Sequence, residues 1–247
     1  NLLAGRRGAV VAINPKTGAV IALASSPSFN PNRLQESWES LANNESSPLL
    51  NRTVQGVYPP GSSLKIAIAG AALQKDLNLW NQIFDNPGYI EINGRRIHDT
   101  TIRTELNMEE GLAISSNVLF ARLALDMGSN YLIQSLEDFY FNKSIPFDLA
   151  VKKSTVPNAQ KLSKNALAEL GIGQGKALVT PLHMAMITAA IANGGIMYKP
   201  YVVNEIVSPQ GHLVKQEKSV VLGHPIMPET AELVKQGMIA VVDWGYG

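Results

Sequence analysis

The run from Ser62 to Gln74, SSLKIAIAGAALQ, constrains this chain more than any other segment. It is apolar on nearly every side of a helical wheel. Such a helix has no solvent face to offer and has to lie at the centre of a fold, surrounded by other elements. Pro59-Pro60-Gly61 breaks the backbone sharply just ahead of it. Lys65 follows Ser62 by three residues, a spacing that puts both side chains on one face of the first turn, close enough to touch. The start of a helix also presents free backbone N–H groups and the positive end of the helix dipole, where an oxyanion is stabilised. Leu64 and Ile66 flank the lysine with apolar surface, and a lysine in a dry setting loses its preference for the charged form. To serve as a base it has to fall from ~10.4 towards ~7–8, about 4 kcal/mol of differential stabilisation. Taken alone, Ser-x-x-Lys is equally the pattern of a serine N-cap followed by an ordinary helix lysine.

The rest of the chain organises around that helix. Gly8 to Asn14 and Ala19 to Ser25 are apolar runs joined by Pro15-Lys16-Thr17-Gly18, the composition of a β-hairpin. Ser26 to Val57 is rich in Ser, Asn and Pro and is expected to be a long irregular excursion. Asp85 to Arg103 suits a hairpin or loop around Asn93-Gly94. Helical patterns cover Asn107 to Met127 with a break near Ser115, then Tyr131 to Tyr140, Lys164 to Leu170, Pro181 to Asn193 and Pro228 to Val242. Tyr201 to Val207 and Leu213 to Gln216 suit short strands around Gln210-Gly211. The charge-free stretch Ala177 to Tyr198 holds Pro181, His183, Asn193 and Gly194-Gly195, which argue for a buried helix rather than a membrane span.

Composition removes several function classes. With 21 Lys plus Arg against 20 Asp plus Glu, the chain has no broad attraction to nucleic acid, and Arg6-Arg7 and Arg95-Arg96 are too short to form a patch. The absence of cysteine excludes disulfides, thiolate zinc sites and cysteine nucleophiles. His98, His183, His212 and His224 have no ligand spacing, so neither a metal nor a cofactor is expected. Asn1-Leu2-Leu3-Ala4-Gly5 lacks the pattern of a signal peptide.

Ser-x-Asn occurs at Ser28 to Asn30, Ser115 to Asn117 and Ser163 to Asn165, and only Ser115-Ser116-Asn117 falls between helical segments downstream of Ser62. The one Lys-Thr-Gly, Lys16-Thr17-Gly18, sits at a hairpin tip ahead of Ser62 and is read as a turn. Pro59-Pro60-Gly61-Ser62-Ser63-Leu64-Lys65, entered from Asn51-Arg52-Thr53, resembles the nucleophile segment of class B penicillin-binding proteins, whose motifs run Ser-x-x-Lys, Ser-x-Asn, Lys-Thr-Gly. Gly8 to Ala24, Pro27 to Asn32, and Gly171-Ile172-Gly173-Gln174-Gly175 leading to Thr180-Pro181 are similar to further family segments in the same order.

The resemblance implies a penicillin-binding/β-lactamase-like serine acyltransferase fold of α/β (α+β) type over residues 1–247: an antiparallel sheet flanked by helices, with a mainly helical subdomain. It implies a D,D-transpeptidase acting on the D-Ala-D-Ala end of peptidoglycan stem peptides. In that reading Ser62 is the nucleophile, Lys65 its base, Ser115 a proton relay to the leaving D-Ala and Asn117 a substrate-binding group, and β-lactams acylate Ser62. It further implies other cell-wall synthesis proteins as partners. The expected location is the bacterial cell membrane, with the catalytic domain outside the cytoplasm and the anchor outside this chain. The third motif and its strand are not found up to Gly247 and are expected either on another polypeptide or in a longer form of this chain, leaving these 247 residues poorly active alone. A class D-like β-lactamase, a D,D-carboxypeptidase, and a β-lactam sensor or scaffold domain are the rival readings.

Overall fold

The computed structural model describes Leu3, residues 5–101 and residues 103–245. Asn1, Leu2 and Ala4 of the N-terminal segment, Ile102, and Tyr246 and Gly247 lie outside the described residues. The first hairpin forms as the sequence indicates, with β1 (Gly8–Ile13) and β2 (Val20–Ser26) antiparallel and Gly8 opposite Ser26. Its tip is Lys16-Thr17-Gly18. Gly18 has φ 84°, and a Cβ there would come within 2.3 Å of the Lys199 carbonyl oxygen. That Lys-Thr-Gly is therefore a turn, fixed by the backbone conformation only glycine takes easily.

The excursion from Ser26 to Val57 departs from expectation. It contains a 3-10 turn at Pro31–Arg33 and an α-helix, α1 (Leu34–Ala42). α1 buries no residue, and Trp38 on it is exposed. Leu34, Trp38 and Leu41 fall at i, i+4 and i+7 on one face of it, with Leu34 and Leu41 half-buried. The segment then closes on buried Arg52, whose guanidinium donates to the carbonyls of Ser46 and Ser47. This fixes the path of the chain into Pro59.

A 3-10 turn (Gly61–Leu64) runs directly into α2 (Lys65–Lys75), in which Lys65 and every residue from Ala67 to Leu73 are buried. α2 is the central helix that its all-round apolarity demands. Full burial of Leu64, Ile68 and Leu73 stabilises the fold by about 1.5–3 kcal/mol for each side chain. Beyond a 3-10 turn at Leu77–Trp80, β3 (Phe84–Asp85) pairs with β6 (Glu105–Leu106). Between them β4 (Tyr89–Ile92) and β5 (Arg95–His98) form a hairpin. Asn93 and Gly94 both have positive φ (47° and 77°), as the mirror-image turn of a two-residue hairpin requires.

The helical stretch from Asn107 to Met127 does break near Ser115, giving α3 (Met108–Ala113) and α4 (Asn117–Met127). Then come α5 (Ser129–Asp138), α6 (Lys164–Gly171) and α7 (Pro181–Ala192). β7 (Met197–Tyr198) pairs with β10 (Val221–Gly223), and β8 (Glu205–Val207) with β9 (Leu213–Gln216), before α8 (Pro228–Asp243). The strand read from Tyr201 begins later, at Glu205. The Tyr201 carbonyl instead accepts from Val20 N–H, and Val202 and Val203 donate their N–H groups to Asp148, which holds residues 201–203 out of the hairpin.

The layers follow from who touches whom. β1 lies on α7, α7 on α8, and α8 on both α2 and α3. On its other side α2 meets α4 and α5, and α4 meets α6 and the β4–β5 hairpin. The strand pairing is antiparallel throughout the named strands, and the mixed helix-and-sheet architecture is the one expected. No described helix is long and apolar enough to cross a membrane.

Candidate active site

Ser62 lies in the 3-10 turn at the head of α2 and is exposed, while Lys65 three residues on is 2% exposed. The turn is held from outside: Gly61 N–H donates to the Gly173 carbonyl at 2.9 Å. Gly173 has φ 70°, and a Cβ there would sit 1.9 Å from the Gly61 carbonyl oxygen. The Gly171–Gly175 segment is therefore the backbone brace of the turn that carries Ser62, and the approach is close enough to require glycine.

The Lys65 Nζ meets three oxygens: the Ser115 carbonyl at 2.7 Å, Asn117 Oδ1 at 2.8 Å and Ser115 Oγ at 3.0 Å. Asn117 Nδ2 donates to the His98 carbonyl, which settles that its Oδ1 is the atom turned to the lysine. Phe120, fully buried, lies beneath with its ring centre 5.5 Å from Nζ. Burial holds the Lys65 pKa down from 10.5 to about 8, against the opposing pull of Asp99. The sequence required a fall of this kind, and the apolar helix supplies it by desolvation.

Ser115 is presented by strain. It bridges α3 and α4 with φ 57°, the left-handed region, where a serine costs of order 1–3 kcal/mol. The capping box at the start of α3, between Asn107 and Glu110, and the Ser116 side chain, which accepts from Leu119 N–H, fix the helices on either side. Only the central Ser-x-Asn reaches the lysine. Asn30 caps the 3-10 turn at Pro31–Arg33, and Ser163 caps α6.

Ser62, Lys65 and Ser115 line one cavity of about 420 Å³, walled by Leu112, Met184, Thr188, Met238 and Val241. Lys65 turns its amine towards Ser115 and Asn117, and among the described residues it makes no hydrogen bond to Ser62. Ser62 and Lys65 thus share the cavity without a direct hydrogen bond. The cleft continues past Ser63, Met184 and Thr188 into a depression of about 600 Å³ between β1 and α7. Sequence reasoning missed Phe120 beneath the amine and Asp99 beside the Ser116 turn, since neither belongs to a short motif. No group of described His, Asp or Glu side chains is arranged to hold a metal ion.

Fold and site together define a class: a mixed α/β domain with a Ser-x-x-Lys pair at the head of its central buried helix and a second Ser-x-Asn turn closing on the lysine. Comparison with known proteins leads to the same place. The penicillin binding protein transpeptidase domain family matches residues 8–247, and the chain belongs to it. It is 34% identical over 263 aligned positions to the peptidoglycan D,D-transpeptidase MrdA of Acinetobacter baumannii, across 99% of this chain and 39% of that protein. Among solved structures, the D,D-transpeptidase domain of a peptidoglycan glycosyltransferase from Eggerthella lenta superposes with a TM-score of 0.94 at 32% identity, covering 99% of this chain and 63% of the other. The penicillin G acyl-enzyme complex of penicillin-binding protein A from Mycobacterium tuberculosis matches with a TM-score of 0.89 at 29% identity, over 97% and 58% of the two chains. The chain thus spans less than two thirds of the length of each of these.

Proposed function

We propose that this chain carries the acylation half-site of a peptidoglycan D,D-transpeptidase. The observation that carries the proposal is the Lys65 amine, buried, lowered to about 8, and ringed by Ser115 and Asn117 in the cavity that Ser62 also lines. Two of its three oxygen partners, the Ser115 carbonyl and Asn117 Oδ1, are pure acceptors and take two N–H groups. The third, the Ser115 hydroxyl, can donate. A neutral amine, the form a base needs, is therefore satisfied here, with its lone pair accepting from the Ser115 hydroxyl, and it can take a proton when that hydroxyl turns away.

In the reaction, Ser62 Oγ attacks the penultimate D-Ala carbonyl of a stem peptide and its proton passes to Lys65. Negative charge develops on the carbonyl oxygen against the N–H groups at the head of α2. As the tetrahedral adduct collapses the C–N bond breaks, and Ser115 passes a proton from Lys65 to the departing D-Ala nitrogen. Asn117 binds the substrate amide. The amine of a neighbouring stem peptide then takes the acyl group from Ser62, with proton transfers in the reverse direction. A β-lactam enters at the same carbonyl and leaves a slowly hydrolysed ester on Ser62. The work belongs outside the cytoplasmic membrane, where the stem peptides are, in company with other cell-wall synthesis proteins.

The test is the fate of the acyl group in the full-length protein. Stem-peptide substrates should yield cross-linked dimers with one D-Ala released per bond. Release of D-Ala without dimers would make it a carboxypeptidase, and rapid turnover of nitrocefin a β-lactamase.

A further inference from the structure

The lysine's partners are themselves gripped by a carboxylate outside the three motifs. Asp99 follows β5. Its Oδ2 accepts from Ser116 Oγ at 2.8 Å and its Oδ1 from Val118 N–H at 2.8 Å, so it holds the residues on both sides of Asn117. The preceding residue completes the grip, since the His98 carbonyl takes Asn117 Nδ2 at 2.9 Å. The carboxylate is fixed from behind: Asn86, 2% exposed, donates Nδ2 to Asp99 Oδ2 at 2.9 Å, and Asp99 N–H donates to the Gly88 carbonyl at 3.0 Å. Three elements therefore converge on one side chain: the end of β3, the end of β5 and the head of α4.

We propose that Asp99 is a positioning residue of the acyl-transfer site, clamping the Ser115-Ser116-Asn117 turn against Lys65 through Ser116 and Val118. The inference rests on the reading of Ser62 and Lys65 given above. It follows from what the turn has to do. Ser115 sits in a left-handed conformation that a serine does not hold unaided. Both Lys65 contacts from Ser115, and the one from Asn117, need that conformation kept to within a fraction of an ångström. Ser116 already serves α4 by accepting from Leu119 N–H. Its hydroxyl hydrogen is left to bind outward, and Asp99 receives it. Asp99 is also the one described charge that acts on Lys65, and it favours the protonated amine. The clamp thus sets geometry and proton affinity together: it keeps the base near the pH at which it works, and apolar burial keeps it from staying charged.

An ordinary helix cap would stabilise α4 and leave the lysine alone, and the experiment separates the two. Lys65 is titrated by NMR in protein with 13C-labelled lysine side chains, with Lys65→Arg used to assign its signal, in wild type, Asp99→Asn, Asp99→Ala and Ser163→Ala. Ser163→Ala removes the cap of α6 and serves as the purely structural control. Rates of Ser62 acylation by a fluorescent penicillin are measured on the same variants of the full-length protein. The Asp99→Asn protein should fold, titrate Lys65 at a lower pH than wild type, and acylate ~10-fold more slowly; Asp99→Ala should lose ~100-fold. Ser163→Ala should lower the melting temperature and move neither readout. A folded Asp99→Asn protein with the wild-type Lys65 midpoint and an acylation rate within about twofold of wild type overturns the proposal. If Asp99→Ala does not fold, Asp99→Asn decides the matter. If the wild type fails to acylate at Ser62, the proposed function falls, while the Lys65 midpoint still tests the clamp.

Discussion

Lys65 and His183 are both basic side chains sealed into the apolar interior, and burial pushes both towards the neutral form, Lys65 to about 8 and His183 to about 4. Their surroundings otherwise differ. His183, on α7, is 0% exposed. Its Nε2 meets the Phe139 carbonyl at 2.7 Å, its ring lies 4.7 Å from that of Phe141, and its Nδ1 has no partner among the described residues. It ties α7 to the end of α5. Lys65 is nearly as buried, yet its amine collects three oxygens from a strained turn and borders a cavity that also holds an exposed serine. A lowered pKa records burial. A site needs, in addition, convergent polar groups and a way in.

That contrast can be broken most decisively at Lys65. Lys65→Met keeps the volume in the core and removes the proposed base, so acylation of Ser62 by penicillin should fall by a factor of ~1000 or more in the full-length protein. A loss under tenfold would place the base elsewhere. Gly173→Ala attacks the brace of the turn that carries Ser62. It sets a Cβ against the Gly61 carbonyl at a positive φ, and acylation should slow by ~10–100-fold with a lower melting temperature. Chemistry unaffected by that change would mean that the turn holds itself.

His183 gives the opposite pattern. Its folded pKa lies below the unfolded value of 6.5. As pH falls through 6.5 the unfolded chain takes up a proton that the folded chain refuses until about 4, so stability is lost across that window, by about 3 kcal/mol. His183→Gln, which does not titrate and can still donate to Phe139, should flatten that part of the curve of stability against pH and leave the penicillin rate of folded protein unchanged. Lys65 should show in the rate instead: acylation should climb as pH rises towards about 8, where the amine loses its proton. The smallest effect is expected far from both. Arg33→Ala breaks an exposed ion pair to Glu36 and should alter stability by less than about 0.5 kcal/mol, as a denaturant melt would show.

The sequence made the site's motifs legible because the chemistry is local. Ser62 and Lys65 share a helix turn. The hairpin at Lys16-Thr17-Gly18 and the turn at Asn93-Gly94 are written in residues with strong backbone preferences. Even the kink at Ser115 showed as a break in helical pattern. What stayed hidden was tertiary. Asp99 reaches Ser116 and Val118 across a hairpin, and nothing near it in the chain announces this. α1 is masked by the Ser, Asn and Pro around it, although Leu34, Trp38 and Leu41 fall on one helical face. The strand expected from Tyr201 was displaced by bonds to Val20 and Asp148, both distant in sequence. The Gly61–Gly173 brace was likewise invisible, although Gly171-Ile172-Gly173-Gln174-Gly175 stood out as a segment.

The central claim is that Ser62 is the acyl acceptor and Lys65 its base. Intact-mass analysis of the full-length protein after exposure to penicillin, followed by peptide mapping, tests it most directly. The account predicts a single acyl group on the peptide that contains Ser62, absent in Ser62→Ala and formed far more slowly in Lys65→Met. A folded protein that takes no acyl group, or one that still takes it in Ser62→Ala, would contradict the account.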